Sequence, residues 1–244
     1  MRNYPVRLEG RLDPSLSRWL WLVKWILAIP HYIVLAILSL VFVVLSIVAW
    51  FAILFTGRYP RGLFDFNVGV LRWQWRVTFY AFVLGTDRYP PFRLGSDPDY
   101  PADLMIDYPD RLSRGLVLVK AWLLAIPHWL VITFFTGGTL AWRWVGNAQS
   151  DHGGWSGNAQ PVSIGLVGLL AFFAGVVLLF RAYYPQSIFD LVVGLERWVY
   201  RVSGYVFLMR DEYPPFRLDQ GGADPGVPVG HEPTSEPGPA GAPE

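Results

Sequence analysis

The chain is expected to fold as an all-α membrane protein of two tandem repeats, each a transmembrane helical hairpin followed by a cytoplasmic interfacial amphipathic helix. Three observations lead there. Hydrophobic residues are 53% of the 244 and charged residues only 16%, against about 25% charged in ordinary soluble domains. Leu16 to Phe55 carries no charges other than Arg18, Lys24 and His31, about twice the roughly 20 residues that cross a bilayer once. Finally, long strings recur. Leu27-Ala28-Ile29-Pro30-His31 returns as Leu124-Ala125-Ile126-Pro127-His128, and Tyr89-Pro90-Pro91-Phe92-Arg93-Leu94 returns as Tyr213-Pro214-Pro215-Phe216-Arg217-Leu218.

The register holds between these anchors. Tyr4 to Arg18 matches Tyr100 to Arg114, and Val23-Lys24 matches Val119-Lys120. Phe64-Asp65, Gly69, Arg72-Trp73, Arg76-Val77 and Tyr80 match Phe189-Asp190, Gly194, Arg197-Trp198, Arg201-Val202 and Tyr205. Repeat 1 therefore occupies residues 1–96 and repeat 2 residues 97–218. An internal duplication bears on every local assignment, because each copy tests the reading of the other. After Leu218 the chain turns to Gly, Pro, Glu, Asp and Ser. Such composition buries too little surface to offset ordering entropy, so 219–244 is expected to be a disordered cytoplasmic tail.

Taken in order, Tyr4 to Glu9 alternates and is a candidate strand, to be paired with its counterpart around Tyr100 to Ile106. The apolar run of copy one follows. Copy two splits the same run into Leu112–Phe135 and Pro161–Phe180 around a polar, Gly-rich stretch. This is a hairpin with an outer loop, 137–160. Copy one, shorter there by about 28 residues, is read as the same hairpin with a tight turn near Leu38-Ser39-Leu40. The alternative is a surface helix ending before Pro30 and one spanning helix from His31 to Phe55. Four spans are expected. Arginines crowd one end of each hairpin and the outer loop offers only Arg143, so the positive-inside rule places both termini in the cytoplasm.

The segments after the hairpins, Phe64–Leu84 and Phe189–Met209, carry a charged stripe. At about 100° per residue, Arg72 and Arg76 fall within about 20° of Asp65, with Gly69 beside them. Asp190, Gly194, Arg197 and Arg201 repeat the geometry. A charged stripe on an apolar helix suits the membrane interface. The competing reading makes each segment a third span with its stripe facing the bundle interior, which would invert the two copies. Asn67 and Gln74 on the opposite face speak against lipid on all sides. Tyr-Pro recurs seven times. Because proline disfavours helix in the residue before it, each Tyr-Pro marks a helix boundary or an extended strip.

The strings Tyr4-Pro5-Val6-Arg7-Leu8, Ala28-Ile29-Pro30-His31, Thr56 through Asp65 and Asp87-Arg88-Tyr89-Pro90-Pro91-Phe92 resemble a bacterial, often actinobacterial, membrane family known as domain of unknown function four-three-eight-nine. The resemblance covers residues 4–218 as two copies. Copy two departs from it in the outer loop and at Tyr183-Tyr184-Pro185-Gln186-Ser187, where copy one has the basic Arg58-to-Gly62 stretch. The resemblance implies a multi-pass protein of the bacterial inner membrane and brings no activity with it.

Candidate sites follow from charge placed in apolar surroundings. Asp65, Arg72, Arg76, Asp190, Arg197 and Arg201 are candidates either for an ion-pair network locking the copies together or for holding anionic lipid headgroups or a partner, Arg offering bidentate geometry to phosphate. Lys24, His31, Lys120 and His128 are ionisable residues within the apolar runs, functional candidates by default. Lys24 is near enough to the end to snorkel, and His31 could satisfy a carbonyl freed by Pro30. Gly168, Ala171 and Gly175 form a small-residue face suited to close helix packing. Asp151 and His152 in the outer loop have no counterpart in copy one and read as loop solvation.

No metal site or cofactor is expected. The chain has no cysteine, no phosphate-cradling glycine loop, no Gly-x-Ser-x-Gly and no His-Glu-x-x-His. Nor does a basic stripe on a soluble module suggest nucleic acid. The reading leans away from an enzyme. It favours a scaffold or accessory subunit in the bilayer, touching anionic lipid headgroups and a larger membrane complex. The alternative is a small transporter or permease built on the pseudo-twofold repeat, with His31 and His128 lining a path.

Overall fold

The computed structural model describes residues 4–120, 126 and 165–224. The outer loop, His128, Asp151, His152 and the chain beyond Asp224 lie outside these described residues. The order of elements is β1 (Val6–Gly10), α1 (Trp21–Leu27), α2 (Ile29–Thr56), α3 (Arg61–Ala81), β2 (Ala102–Ile106), α4 (Arg114–Val119), α5 (Leu166–Arg181) and α6 (Gln186–Val206).

The long apolar run of copy one does not turn at Leu38-Ser39-Leu40. It forms α2, 28 continuous residues, about 42 Å at 1.5 Å per residue. The physical reason is local. From His31 to Thr56 there is neither Gly nor Pro, and a turn there would strand backbone polar groups in apolar surroundings. The break falls instead at Ala28, between α1 and α2. Pro30 takes the first turn of α2, where its missing N–H costs nothing. At the other end Gly57, at φ 71°, closes α2 and donates its N–H to the Ile53 carbonyl at 2.7 Å. So the alternative division, a short helix before Pro30 and one long helix after it, is the one found. Among the described residues α2 is the one helix long and apolar enough to cross a membrane, and α5 is a shorter apolar helix.

The fold is mostly helical rather than wholly so. β1 and β2 form a two-stranded antiparallel sheet with Leu8 opposite Leu104 and Val6 opposite Ile106. Two strands alone are marginal in water. These are completed by helices that cross over between copies: α3 of copy one packs on β2 of copy two, and α6 of copy two packs on β1 of copy one. Val6, Leu8, Leu104 and Ile106 face the core with Trp75, Phe79, Phe189 and Tyr200.

That packing leaves α3 and α6 without the bare apolar face that an interfacial placement asks for. No large apolar side chain of either helix is exposed, and their stripes point inward. An interfacial helix would leave an apolar face bare for lipid. Here the sheet, the other copy and the chain segments after each helix already cover that face. Exposed apolar surface concentrates on α2, which buries only a heptad-spaced stripe of His31, Leu35, Phe42, Ala49 and Ile53. Gly175 of α5 lets the Trp21 ring approach to 3.2 Å of where a Cβ would stand, so the small-residue face packs within the chain.

Candidate functional site

Charge is gathered at two duplicated places. The first lies where α3 and α6 meet the sheet. Arg72 donates through Nε to the Leu104 carbonyl at 2.9 Å and through Nη1 to the Leu94 carbonyl at 3.0 Å, and its Nε stands 3.0 Å from Asp103. Arg76, wholly buried, donates to the Gly95 carbonyl at 2.9 Å and pairs with Asp103 at 3.3 Å. In the other copy Arg197 donates through Nε and Nη2 to the Leu8 carbonyl at 3.1 and 3.0 Å, to the Gly221 carbonyl at 2.9 Å, and also to the Asp219 carbonyl. Arg201 pairs with Asp219 at 2.6 Å and with Asp224 at 3.2 Å. Each guanidinium pair thus holds the backbone of the opposite copy's strand. These internal contacts are the ones an ion-pair lock between the copies calls for.

The acids of the lock are not those on the stripe. Asp65 is exposed near the start of α3, and Asp190 accepts a hydrogen bond from the Gln186 amide at 2.9 Å. Asp103 comes from β2, while Asp219 and Asp224 come from the segment assigned to the tail, whose first residues therefore belong to the packed structure. The stripe glycines have a steric reason. A Cβ on Gly69 would stand 2.8 Å from the Leu94 Cβ, and one on Gly194 would stand 3.3 Å from the Asp219 carbonyl. Both admit the chain leaving the helix.

The second place is a buried lysine cluster, also present twice. Lys24 Nζ donates to the Thr86 carbonyl at 2.7 Å, pairs with Asp87 at 2.8 Å and lies 5.1 Å from the Tyr80 ring centre. Lys120 Nζ donates to the Arg210 carbonyl, pairs with Asp211 at 2.9 Å and lies 4.4 Å from the Tyr205 ring centre. Each aspartate also accepts a backbone N–H, from Ser17 at 2.5 Å and from Ser113 at 2.6 Å. Neither lysine snorkels; both are buried and paired. Neither Asp87 nor Asp211 stands among the candidate site residues read from the sequence, although both stand two residues before the repeated Tyr-Pro-Pro.

His31 is closed in by aromatic rings. Its ring stacks on Phe92 at 4.0 Å and 17°, and its Nδ1 accepts the Trp73 indole N–H at 3.1 Å. That bond, not one to a carbonyl freed by Pro30, anchors it, and it makes Nε2 the protonated nitrogen of the neutral ring. His31 Nε2 is buried without a partner. Asn67 too is internal, donating to the Tyr59 hydroxyl at 2.9 Å. On α6, Glu196 is buried near Tyr200, and burial pushes its carboxyl up to about 7. No group of three or more His, Cys, Asp or Glu that could hold a metal occurs among the described residues.

The family model of the Domain of unknown function (DUF4389) matches residues 18–93 and 161–217, two segments that fall one in each copy. No curated protein and no solved structure matches the chain.

Proposed function

We propose that this chain, which belongs to the DUF4389 family through two fused copies of its domain, is a non-enzymatic integral membrane protein that serves as a scaffold or accessory subunit. The observation that carries the reading is the surface of α2. Ile33, Ile37, Leu40, Val44, Ile47, Phe51 and Phe55 are each more than half exposed along one continuous helix. A contiguous apolar face of that size on a soluble monomer would be unusual, whereas lipid or a partner's helices would cover it.

Pairing of the strands bears on topology. β1 precedes α2 and β2 follows it, yet the two share a sheet. The strands that start the two copies therefore lie together, on one side of the bilayer that α2 enters. With Arg7 on β1, Arg11 just after it and Arg111 and Arg114 just after β2, the cytoplasmic side of a bacterial inner membrane suits those starts. The buried cations favour a scaffold over a permease. Arg76, Arg197, Arg201, Lys24 and Lys120 are each held by internal carboxylates and carbonyls, a fixed network rather than a solvated path.

The full chain extracted from native membranes into polymer-bounded discs tests this. Enrichment of anionic lipid, or of one membrane protein, over the bulk membrane is expected. Recovery with neither would overturn the reading. Solute flux through vesicles bearing the full chain, abolished by His31→Ala, would replace it with a permease.

A further inference from the structure

A shallow cleft of about 500 Å³ opens at the end of α2, lined by Thr56, Gly57, Arg58, Arg111, Leu112 and Arg114. It is built at a junction of the copies, where the Leu112 N–H donates to the Gly57 carbonyl at 2.9 Å. The left-handed Gly57 turns the chain sharply there and sets Arg58 beside the two copy-two arginines. Among the described residues none of these three guanidiniums forms an ion pair, unlike Arg7, Arg72, Arg76, Arg93, Arg197, Arg201, Arg210 and Arg217. Three exposed cations held around one cleft repel one another unless an anion joins them.

Copy two has no equal. The positions matching Arg58, Arg111 and Arg114 across the repeat are Tyr183, Ser15 and Arg18, so the cleft is a specialisation of one side of an otherwise symmetric fold. The C-terminal end of α2 carries a partial charge of roughly −0.5, which three guanidiniums outweigh. Phe51 and Phe55 are exposed on the last turns of α2, the helix that ends at the cleft.

We propose that Arg58, Arg111 and Arg114 bind a phosphate oxyanion, specifically the headgroup phosphate of an anionic glycerolipid whose chains lie along Phe51 and Phe55. Arginine forks match phosphate oxygens bidentately, and the end of an apolar helix about 42 Å long reaches the headgroup layer. The proposal rests on the membrane reading above and names the site and ligand class within it.

Full-length chain in detergent is titrated with short-chain phosphatidic acid, short-chain phosphatidylcholine and inorganic phosphate. The same titrations are run on the triple variant R58Q/R111Q/R114Q and on R11Q/R18Q/R181Q, which removes equal charge from exposed arginines outside the cleft. Both variants are checked for the wild-type elution volume and melting temperature. Phosphatidic acid should bind best, the cleft variant should lose at least about tenfold in affinity, and the second variant should match wild type. Equal loss in both variants would overturn the cleft. Inorganic phosphate binding as tightly as the lipid would overturn the lipid source. If wild type ignores phosphatidic acid while native discs remain enriched in anionic lipid, the cleft fails and the membrane reading stands. If the discs show no enrichment of lipid or partner either, both fail.

Discussion

Leu8 and Leu104 occupy the same position in the two copies and lie directly opposite each other in the antiparallel pair. A residue that faces its own repeat mate marks a local twofold axis. Val6 opposite Ile106 and Gly10 opposite Ala102 are then one contact seen twice. The arginines obey the same axis, for Arg72 donates to the Leu104 carbonyl and Arg197 to the Leu8 carbonyl. Each copy therefore completes the other, and neither half keeps its buried guanidiniums satisfied without the strand its neighbour supplies.

The first expectation concerns which acid matters. Asp103→Ala leaves Arg76 buried with carbonyls alone and strips Arg72 of its counter-charge. Breaking a buried pair by removing one partner typically costs about 3–5 kcal/mol. Asp65 is exposed, so Asp65→Ala should stay within about 0.5 kcal/mol. Denaturant unfolding of the detergent-solubilised chain ranks the two, and a larger loss at Asp65 would contradict the lock.

The lysine clusters should behave as twins. In a double-mutant cycle, Lys24→Met with Asp87→Leu should recover part of what Asp87→Ala loses, because two apolar groups replace a broken ion pair. The coupling expected between contacting partners is about 0.5–3 kcal/mol. The same cycle on Lys120 and Asp211 should give the same sign and a similar size. Independent effects at either pair would separate two sites that the geometry makes equivalent.

Much of this was legible in the residues. The letter-for-letter strings fixed the register, the alternation of Tyr4 to Glu9 and its return near Tyr100 pointed to paired strands, and helical arithmetic put Gly69, Arg72 and Arg76 on one face. Partners were harder to see. A wheel shows which way Arg76 points but not that Asp103, in the other copy, meets it, and Asp65 sits on the correct face too near the exposed start of α3. Asp103 stands where copy one has Arg7, so the repeat offered no hint. The division of the apolar run went astray for another reason. Symmetry with the copy-two loop argued for a turn at Leu38-Ser39-Leu40, while the absence of Gly and Pro, the stronger local fact, argued for one helix.

Close approach gives a third test. Leu94 presses on Gly69 where a methyl group would stand 2.8 Å from its Cβ, whereas nothing lies within 4 Å of the same point on Gly62. Gly69→Ala should therefore cost about 1–3 kcal/mol through overpacking. Gly62→Ala, also in α3, should be neutral or stabilising by up to about 1 kcal/mol through helix propensity. Melting temperatures of the two variants should move in opposite directions or, at the least, differ clearly. Equal shifts would mean that the strip after α3 does not hold its place against the helix.

Glu196 supplies a pH signature. Its counterpart in copy one is Leu71, also buried, so the carboxyl stands at a position the fold treats as apolar. Burial raises its pKa from an ordinary 4.5 to about 7. Between those values the folded chain keeps a proton that the unfolded chain has released. Stability is thus fully present below the unfolded value, falls as pH rises through the window and levels off above about 7. The loss is on the order of 3 kcal/mol. Glu196→Gln or Glu196→Leu should flatten this slope and be more stable than wild type at pH above about 7. Unfolding followed across the window, as the difference between variant and wild type, isolates Glu196 from the other carboxylates, whose contributions cancel. A difference that stays constant with pH would mean that Glu196 is charged in the folded chain.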